Sequence, residues 1–126
     1  VRNLLFVDDE SQTLELLTDL YSPSNSVFIA LSGMQALEIL RKQSVDAVII
    51  DILLAGAENG YTLAQQIQQE FPGLKIGLMT SLNKDTAKES YGSDFVILGK
   101  LDLVLTANES GLSETLNGFL AASSVC

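Results

Sequence analysis

The stretch Val45-Asp46-Ala47-Val48-Ile49-Ile50-Asp51 decides how this 126-residue chain is read. Val45 to Ile50 is dominated by β-branched apolar residues, with Asp46 near its start. A run this apolar reads as a strand buried on both faces, hence a central strand of a parallel sheet. Asp51 then stands where the strand should emerge. In open α/β sheets, ligands collect at the carboxyl ends of the strands, so a carboxylate there is placed for chemistry. For one aspartate alone, a helix cap or a turn is the plainer explanation.

A second stretch changes that balance. Leu4-Leu5-Phe6-Val7 is another short apolar run, and it ends in Asp8-Asp9-Glu10. Three adjacent acids outside a buried strand repel one another unless something positive sits among them. The residues from Ser11 to Tyr21 follow, with Leu14, Leu17 and Tyr21 on one helical face. Ser11 or an acid before it is a sensible N-cap, but a cap uses one acid and not three. If the first and third strands are neighbours, Asp8, Asp9 and Asp51 converge. Hard oxygen ligands with room for water and a phosphate suit Mg²⁺.

The totals set bounds. The length fits one domain over residues 1–126, and 47% apolar residues exclude disorder. No apolar run approaches a membrane span. A net charge of −9 argues against nonspecific nucleic-acid binding. Cys126 is the single cysteine, so no internal disulfide can form, which suits a reducing cytosol. No signal peptide precedes the first strand, and a cytoplasmic location is expected. The chain opens at Val1 rather than Met, so a trimmed piece of a longer protein is one reading. The absence of histidine removes serine-triad chemistry, histidine metal sites and a phosphohistidine role.

In order, Ser22–Ser26 is a turn by composition, and Val27–Ala30 a second strand. Ser32-Gly33 opens a helix through Arg41, with Ala36, Leu37 and Leu40 apolar. After the Asp51 strand, Asn59 can cap a helix whose apolar face is Leu63, Ile67 and Phe71, and Pro72-Gly73 ends it. Ile76–Met79 is a fourth strand, ending at Thr80-Ser81. A short, weakly apolar helix covers Asn83 to Tyr91. Phe95–Leu98 is a fifth strand, ending at Gly99-Lys100. Leu103-Val104-Leu105 fits a strand fragment or a packed loop. A last helix runs from about Leu112 to Ala122, burying Leu112, Leu116, Phe119 and Leu120. Five strand and helix alternations mean an α/β parallel sheet.

Three acids, a hydroxyl and a lysine thus lie at the ends of four strands. With a divalent cation neutralising the acids, Asp51 is a plausible nucleophile toward a phosphoryl group. Thr80 can donate to one phosphoryl oxygen, and Lys100 can supply charge to another. Ser81 is more simply a helix cap. Singly, each residue has an ordinary structural explanation; four coincidences on one edge do not.

The chain resembles a response-regulator receiver domain of two-component signalling (the CheY-like family). The resemblance rests on Phe6-Val7-Asp8-Asp9-Glu10, Ser32 to Glu38, and Val48-Ile49-Ile50-Asp51. It continues through Asn59-Gly60-Tyr61, Leu78-Met79-Thr80-Ser81 and Gly92-Ser93-Asp94 to Lys100. It implies a doubly wound, flavodoxin-like five-stranded parallel sheet, order 2-1-3-4-5, with helices on both faces. It implies Asp51 as the phosphorylated residue, with Asp8, Asp9, Asp51 and the Leu53 backbone carbonyl around Mg²⁺. Thr80 matches the switching hydroxyl and Lys100 the phosphate-pairing lysine. The implied partners are a sensor histidine kinase or histidine phosphotransfer protein, and a downstream effector, with a phosphorylation-dependent dimer possible. No enzyme activity is implied beyond assistance to the domain's own phosphorylation and dephosphorylation.

The chain also departs from that family. Leu101 follows Lys100 where the family has a proline in a cis peptide. A non-proline cis bond is costly, so this junction is expected to turn differently or to displace Lys100. Ile97 stands where an aromatic switch residue is usual, with Phe95 nearby. The loop after Asp51 lacks its usual proline and is slightly long. The fourth helix is short, and Leu101 to Asn108 is longer than usual. A phosphorylation-independent interaction module is therefore the alternative. A small Asp-nucleophile phosphatase and a flavodoxin-like cofactor binder rank below it.

Overall fold

The computed structural model describes residues 2–53, 59–81, 84–91, 94–107 and 113–121. In chain order these form β1 (Arg2–Val7), α1 (Ser11–Tyr21), β2 (Asn25–Ala30), α2 (Gly33–Lys42) and β3 (Ala47–Asp51). There follow α3 (Gly60–Glu70), β4 (Lys75–Thr80), α4 (Lys84–Tyr91), β5 (Val96–Gly99), α5 (Lys100–Leu105) and α6 (Glu114–Ala121). The expectations for loop 54–58 and for Asn83, Gly92, Ser93, Asn108, Leu112, Ala122 and Cys126 fall outside the described residues. Among the described residues, no helix is long and apolar enough to cross a membrane.

All strand pairs are parallel, in the order β2-β1-β3-β4-β5. β3 is central and buried at every residue, as its unbroken apolar sequence requires. Alternation along each strand splits the core in two. Leu5, Val7, Val48, Ile50 and Leu78 pack against Ala36 and Leu40 of α2, Leu63 and Ile67 of α3, and Ala87 of α4. Leu4, Phe6, Ile49 and Met79 pack against Leu14, Leu17 and Tyr21 of α1, Leu103 of α5, and Leu116 and Phe119 of α6. Right-handed crossovers account for the division. The step from β1 to β2 runs opposite to the three that follow, so α1 lies on the face opposite α2, α3 and α4. The reversal opens a crevice at the carboxyl ends of β1 and β3.

Local chemistry fixes the helix ends. Ser32 Oγ accepts from Gln35 N–H at the start of α2, and Asn59 Oδ1 accepts from Tyr61 N–H (2.7 Å) at the start of α3. The end of α2 carries Arg41, whose guanidinium meets the Glu70 carboxylate of α3 at 2.7 and 2.8 Å. Gly77 of β4 leaves room for the Phe119 ring, which a Cβ there would meet at 3.0 Å.

Several expectations are corrected. Asp51 is the last residue of β3, while Val45 and Asp46 precede the strand. Asp46 instead clasps β1, accepting from Asn3 N–H at 2.7 Å. Glu10 is the N-cap of α1 but makes no side-chain capping bond. β5 starts at Val96, not at Phe95. Leu103 to Leu105 is neither strand nor loop but part of α5, with Leu103 fully buried. Leu120 is only half-buried.

Candidate functional site

The crevice is built from strand ends. Asp8 follows β1 and is fully buried; its N–H donates to the Ala30 carbonyl (3.1 Å) and its Oδ1 accepts from Glu10 N–H (3.0 Å). Asp51, also buried, accepts at Oδ1 from Leu53 N–H (3.1 Å). The register of β1 against β3 pairs Val7 with Ile50, which brings the two aspartates side by side.

Lys100 joins them. Its Nζ donates to Asp51 Oδ2 at 2.9 Å and lies 2.7 Å from Asp8 Oδ2. The second contact is an ion pair, and Asp8 Oδ2 has no other polar partner among the described residues. Glu10 Oε1 is 4.0 Å from the same ammonium. Lys100 opens α5 directly after β5, and its ammonium lies in the pocket.

Asp8, Asp9 and Glu10 hold carboxylate oxygens within 4.8 Å of one another. The carboxylates of Asp8, Glu10 and Asp51 lie within 4.0 Å of one ammonium, with the exposed Asp9 carboxylate beside Asp8 and Glu10. Burial raises the Asp51 pKa above its ordinary value; the Asp8 charge adds to this, and Lys100 and the Leu53 N–H oppose it. Burial works against the Lys100 ammonium, but the Asp8 and Asp51 carboxylates outweigh it and hold its pKa up. An excess of hard oxygen donors, one of them buried without a hydrogen bond, fits a small divalent cation such as Mg²⁺. Glu10 is a member of the acidic group that the expected metal set lacked.

The remaining residues frame the pocket. Thr80 ends β4, is buried, and stands opposite Gly99 in the β4 to β5 register. Ser81 is exposed. Leu53 follows β3 and bridges to Asn59. Gly60 N–H donates to the Ile52 carbonyl (2.8 Å), and a Cβ on Gly60 would overlap the Asp51 carbonyl oxygen. The start of α3 is thereby pressed against the backbone of Asp51. Ile97 and Phe95 are both buried in the core beneath α3 and α4. Tyr61 of α3 packs edge-on against Phe95, ring centroids 5.7 Å apart, and donates to the Asp94 carboxylate.

A doubly wound 2-1-3-4-5 sheet with paired aspartates and a lysine at its switch point defines a flavodoxin-like receiver domain. The chain belongs to the response regulator receiver domain family, which it matches over residues 4–96. Lys100 lies beyond the matched span. It is 34% identical over 100 residues to the probable transcriptional regulator ycf27 of Cyanidium caldarium, covering 75% of this chain and 39% of that protein. It is 36% identical over 80 residues to the transcriptional regulatory protein GlrR of Escherichia coli K12, covering 63% of this chain and 18% of that one. Among solved structures, the signal receiver domain of an HD domain-containing protein from Pseudomonas fluorescens is 25% identical, with TM-score 0.71 and coverage of 96% and 98%. The response regulator TrrA of Thermotoga maritima, solved with Mg²⁺ and BeF, is 27% identical, with TM-score 0.64 and coverage of 77% and 86%. The chain is thus a receiver domain of the kind found in two-component response regulators.

Proposed function

We propose that this receiver accepts a phosphoryl group on Asp51 and thereby switches its partner interactions. The observation that carries the reading is Lys100 Nζ between Asp51 and Asp8, at 2.9 and 2.7 Å, in a buried pocket at the switch point. The acceptor step balances simply. A carboxylate oxygen of Asp51 attacks phosphorus, and the P–N bond of a partner's phosphohistidine breaks. Its electron pair returns to the imidazole.

Asp8, Asp9, Asp51 and the Leu53 carbonyl are the residues that would hold Mg²⁺, with Glu10 beside them. The bound ion supplies positive charge against the phosphoryl oxygens. Lys100 is poised to exchange an Asp51 oxygen for a phosphoryl oxygen, and the Thr80 hydroxyl to donate to another. The phosphoryl group favours whichever arrangement of Thr80 and its loop makes that bond, so phosphorylation acts as a population shift. The donor is a sensor histidine kinase or a histidine phosphotransfer protein, and the receiver of the signal is an effector domain or protein, in the cytoplasm. The names of the relatives, transcriptional regulators, support such an output. Dimerisation on phosphorylation belongs to the same reading.

Fluorine NMR of beryllofluoride, a phosphoryl mimic, tests it. A bound signal that requires Mg²⁺ and vanishes in Asp51→Ala is expected. No bound signal with a folded protein would leave a phosphorylation-independent interaction module as the better reading.

A further inference from the structure

We infer that Tyr21 is a positioning residue for Lys100, holding the first turn of α5 at the acidic pocket through the Leu103 carbonyl. The inference rests on the function proposed above and names a residue that serves it. Lys100 reaches two carboxylates although Leu101, not proline, follows it. Something else must fix this backbone, because a six-residue helix has little stability of its own. Leu101 and Leu105 are largely exposed and give it little grip.

The grip comes from beneath. Leu103 is fully buried against the α1 face of the sheet, and its carbonyl accepts from Tyr21 Oη at 2.5 Å. Tyr21 is itself fully buried at the end of α1, its ring 5.7 Å from that of Phe6. Its Oη also lies 3.0 Å from Ser113 Oγ, which accepts from Leu116 N–H (2.9 Å) at the start of α6. One phenol therefore ties α1 to both α5 and α6. A second tie joins Thr106 Oγ1 to Thr115 Oγ1 at 3.3 Å. From the other side Asp102 folds over Gly99, where a Cβ would meet its Oδ2 at 2.6 Å.

The hydroxyl is the informative atom. A leucine would satisfy the apolar surroundings of Tyr21, whereas a buried hydroxyl is unfavourable unless it is bonded. Its bond goes to a carbonyl in the last turn of α5, the turn whose carbonyls an α-helix leaves without an internal partner. Leu103 is one helical turn from Lys100, so a slip at the Leu103 carbonyl moves the ammonium relative to Asp8 and Asp51.

The test compares Tyr21→Phe, which keeps the ring and removes the bond, with Ile67→Val on the opposite face, matched for global stability. In Mg²⁺, Tyr21→Phe should weaken beryllofluoride binding about five- to tenfold, the worth of one buried hydrogen bond. In the metal-free protein, amide exchange across Lys100–Leu105 should quicken by a similar factor, while Ile67→Val changes neither. Wild-type affinity and wild-type exchange in Tyr21→Phe would overturn the inference. Should that variant not fold, the hydroxyl proton of Tyr21 in the wild-type protein decides: it shifts on loading if the inference holds, and an unmoved resonance overturns it. A wild-type protein that binds no beryllofluoride defeats the phosphoacceptor reading instead, and the metal-free exchange comparison still judges Tyr21.

Discussion

Lys100 Nζ lies 2.9 Å from Asp51 Oδ2 although no proline follows the lysine. The same ammonium is 2.7 Å from Asp8 Oδ2, so one cation screens two buried carboxylates from each other. Removing it strands them. Lys100→Met should destabilise the metal-free domain by about 3 kcal/mol, the low end for a stranded buried charge. Chemical denaturation with and without Mg²⁺ checks this. The variant should gain more from Mg²⁺ than the wild type does, and an equal gain would show that lysine and metal do not answer the same charges.

Gly60 is required by space. Its Cα faces the backbone of Asp51 and Ile52, and a Cβ would overlap the Asp51 carbonyl oxygen and lie 2.9 Å from Ile52 Cα. Backbone atoms cannot swing aside as a side chain can. Gly60→Ala should lower stability by about 2–3 kcal/mol and weaken binding at the pocket. A urea midpoint unchanged from wild type would contradict the packing described.

Gly77 and Phe119 make a lock between β4 and α6, the ring 3.0 Å from where a Cβ would stand. Gly77→Ala should destabilise by about 1–2 kcal/mol. Combined with Phe119→Leu, the loss should be less than the sum of the two, by about 1 kcal/mol. Additive losses in a double-mutant cycle would mean the two residues do not meet.

Tyr21 gives a pH signature well away from the acidic pocket. Burial, the largest effect, raises its pKa above the ordinary 10.0, and the Ser113 hydroxyl opposes it less strongly. The folded protein thus keeps the phenolic proton where the unfolded chain begins to lose it. This contribution is full below pH 10.0 and is lost as pH rises through the folded value. Denaturant unfolding between pH 9 and 11 should show wild type losing its advantage over Tyr21→Phe as pH rises, whereas a constant difference would place the hydroxyl in water.

The sheet was legible because β1, β3 and β4 are short apolar runs ending in residues of another kind: Val7 before Asp8, Ile50 before Asp51, Met79 before Thr80. Those same transitions mark the pocket, since a parallel sheet delivers its strand ends to one edge. The segment after Lys100 was not legible. Leu101, Leu103 and Leu105 alternate as a strand would, yet 101 and 105 also fall on one helical face. The choice is tertiary: Asp102 folds over Gly99, and Tyr21 takes the Leu103 carbonyl. Tyr21 itself reads as one more apolar residue beside Leu14 and Leu17, because periodicity says nothing about a hydroxyl. Glu10 was seen as an acid but not as a neighbour of Lys100, since that contact depends on where α5 begins.

The most direct test of the account is covalent. The protein is incubated with Mg²⁺ and a small acyl phosphate or phosphoramidate, then trapped with borohydride, which reduces an aspartyl phosphate to homoserine. Peptide mass analysis should find one modified residue per chain, Asp51, and none in Asp51→Asn. An unmodified chain, or a phosphoryl group found on Thr80 or on Asp8 instead, would contradict it.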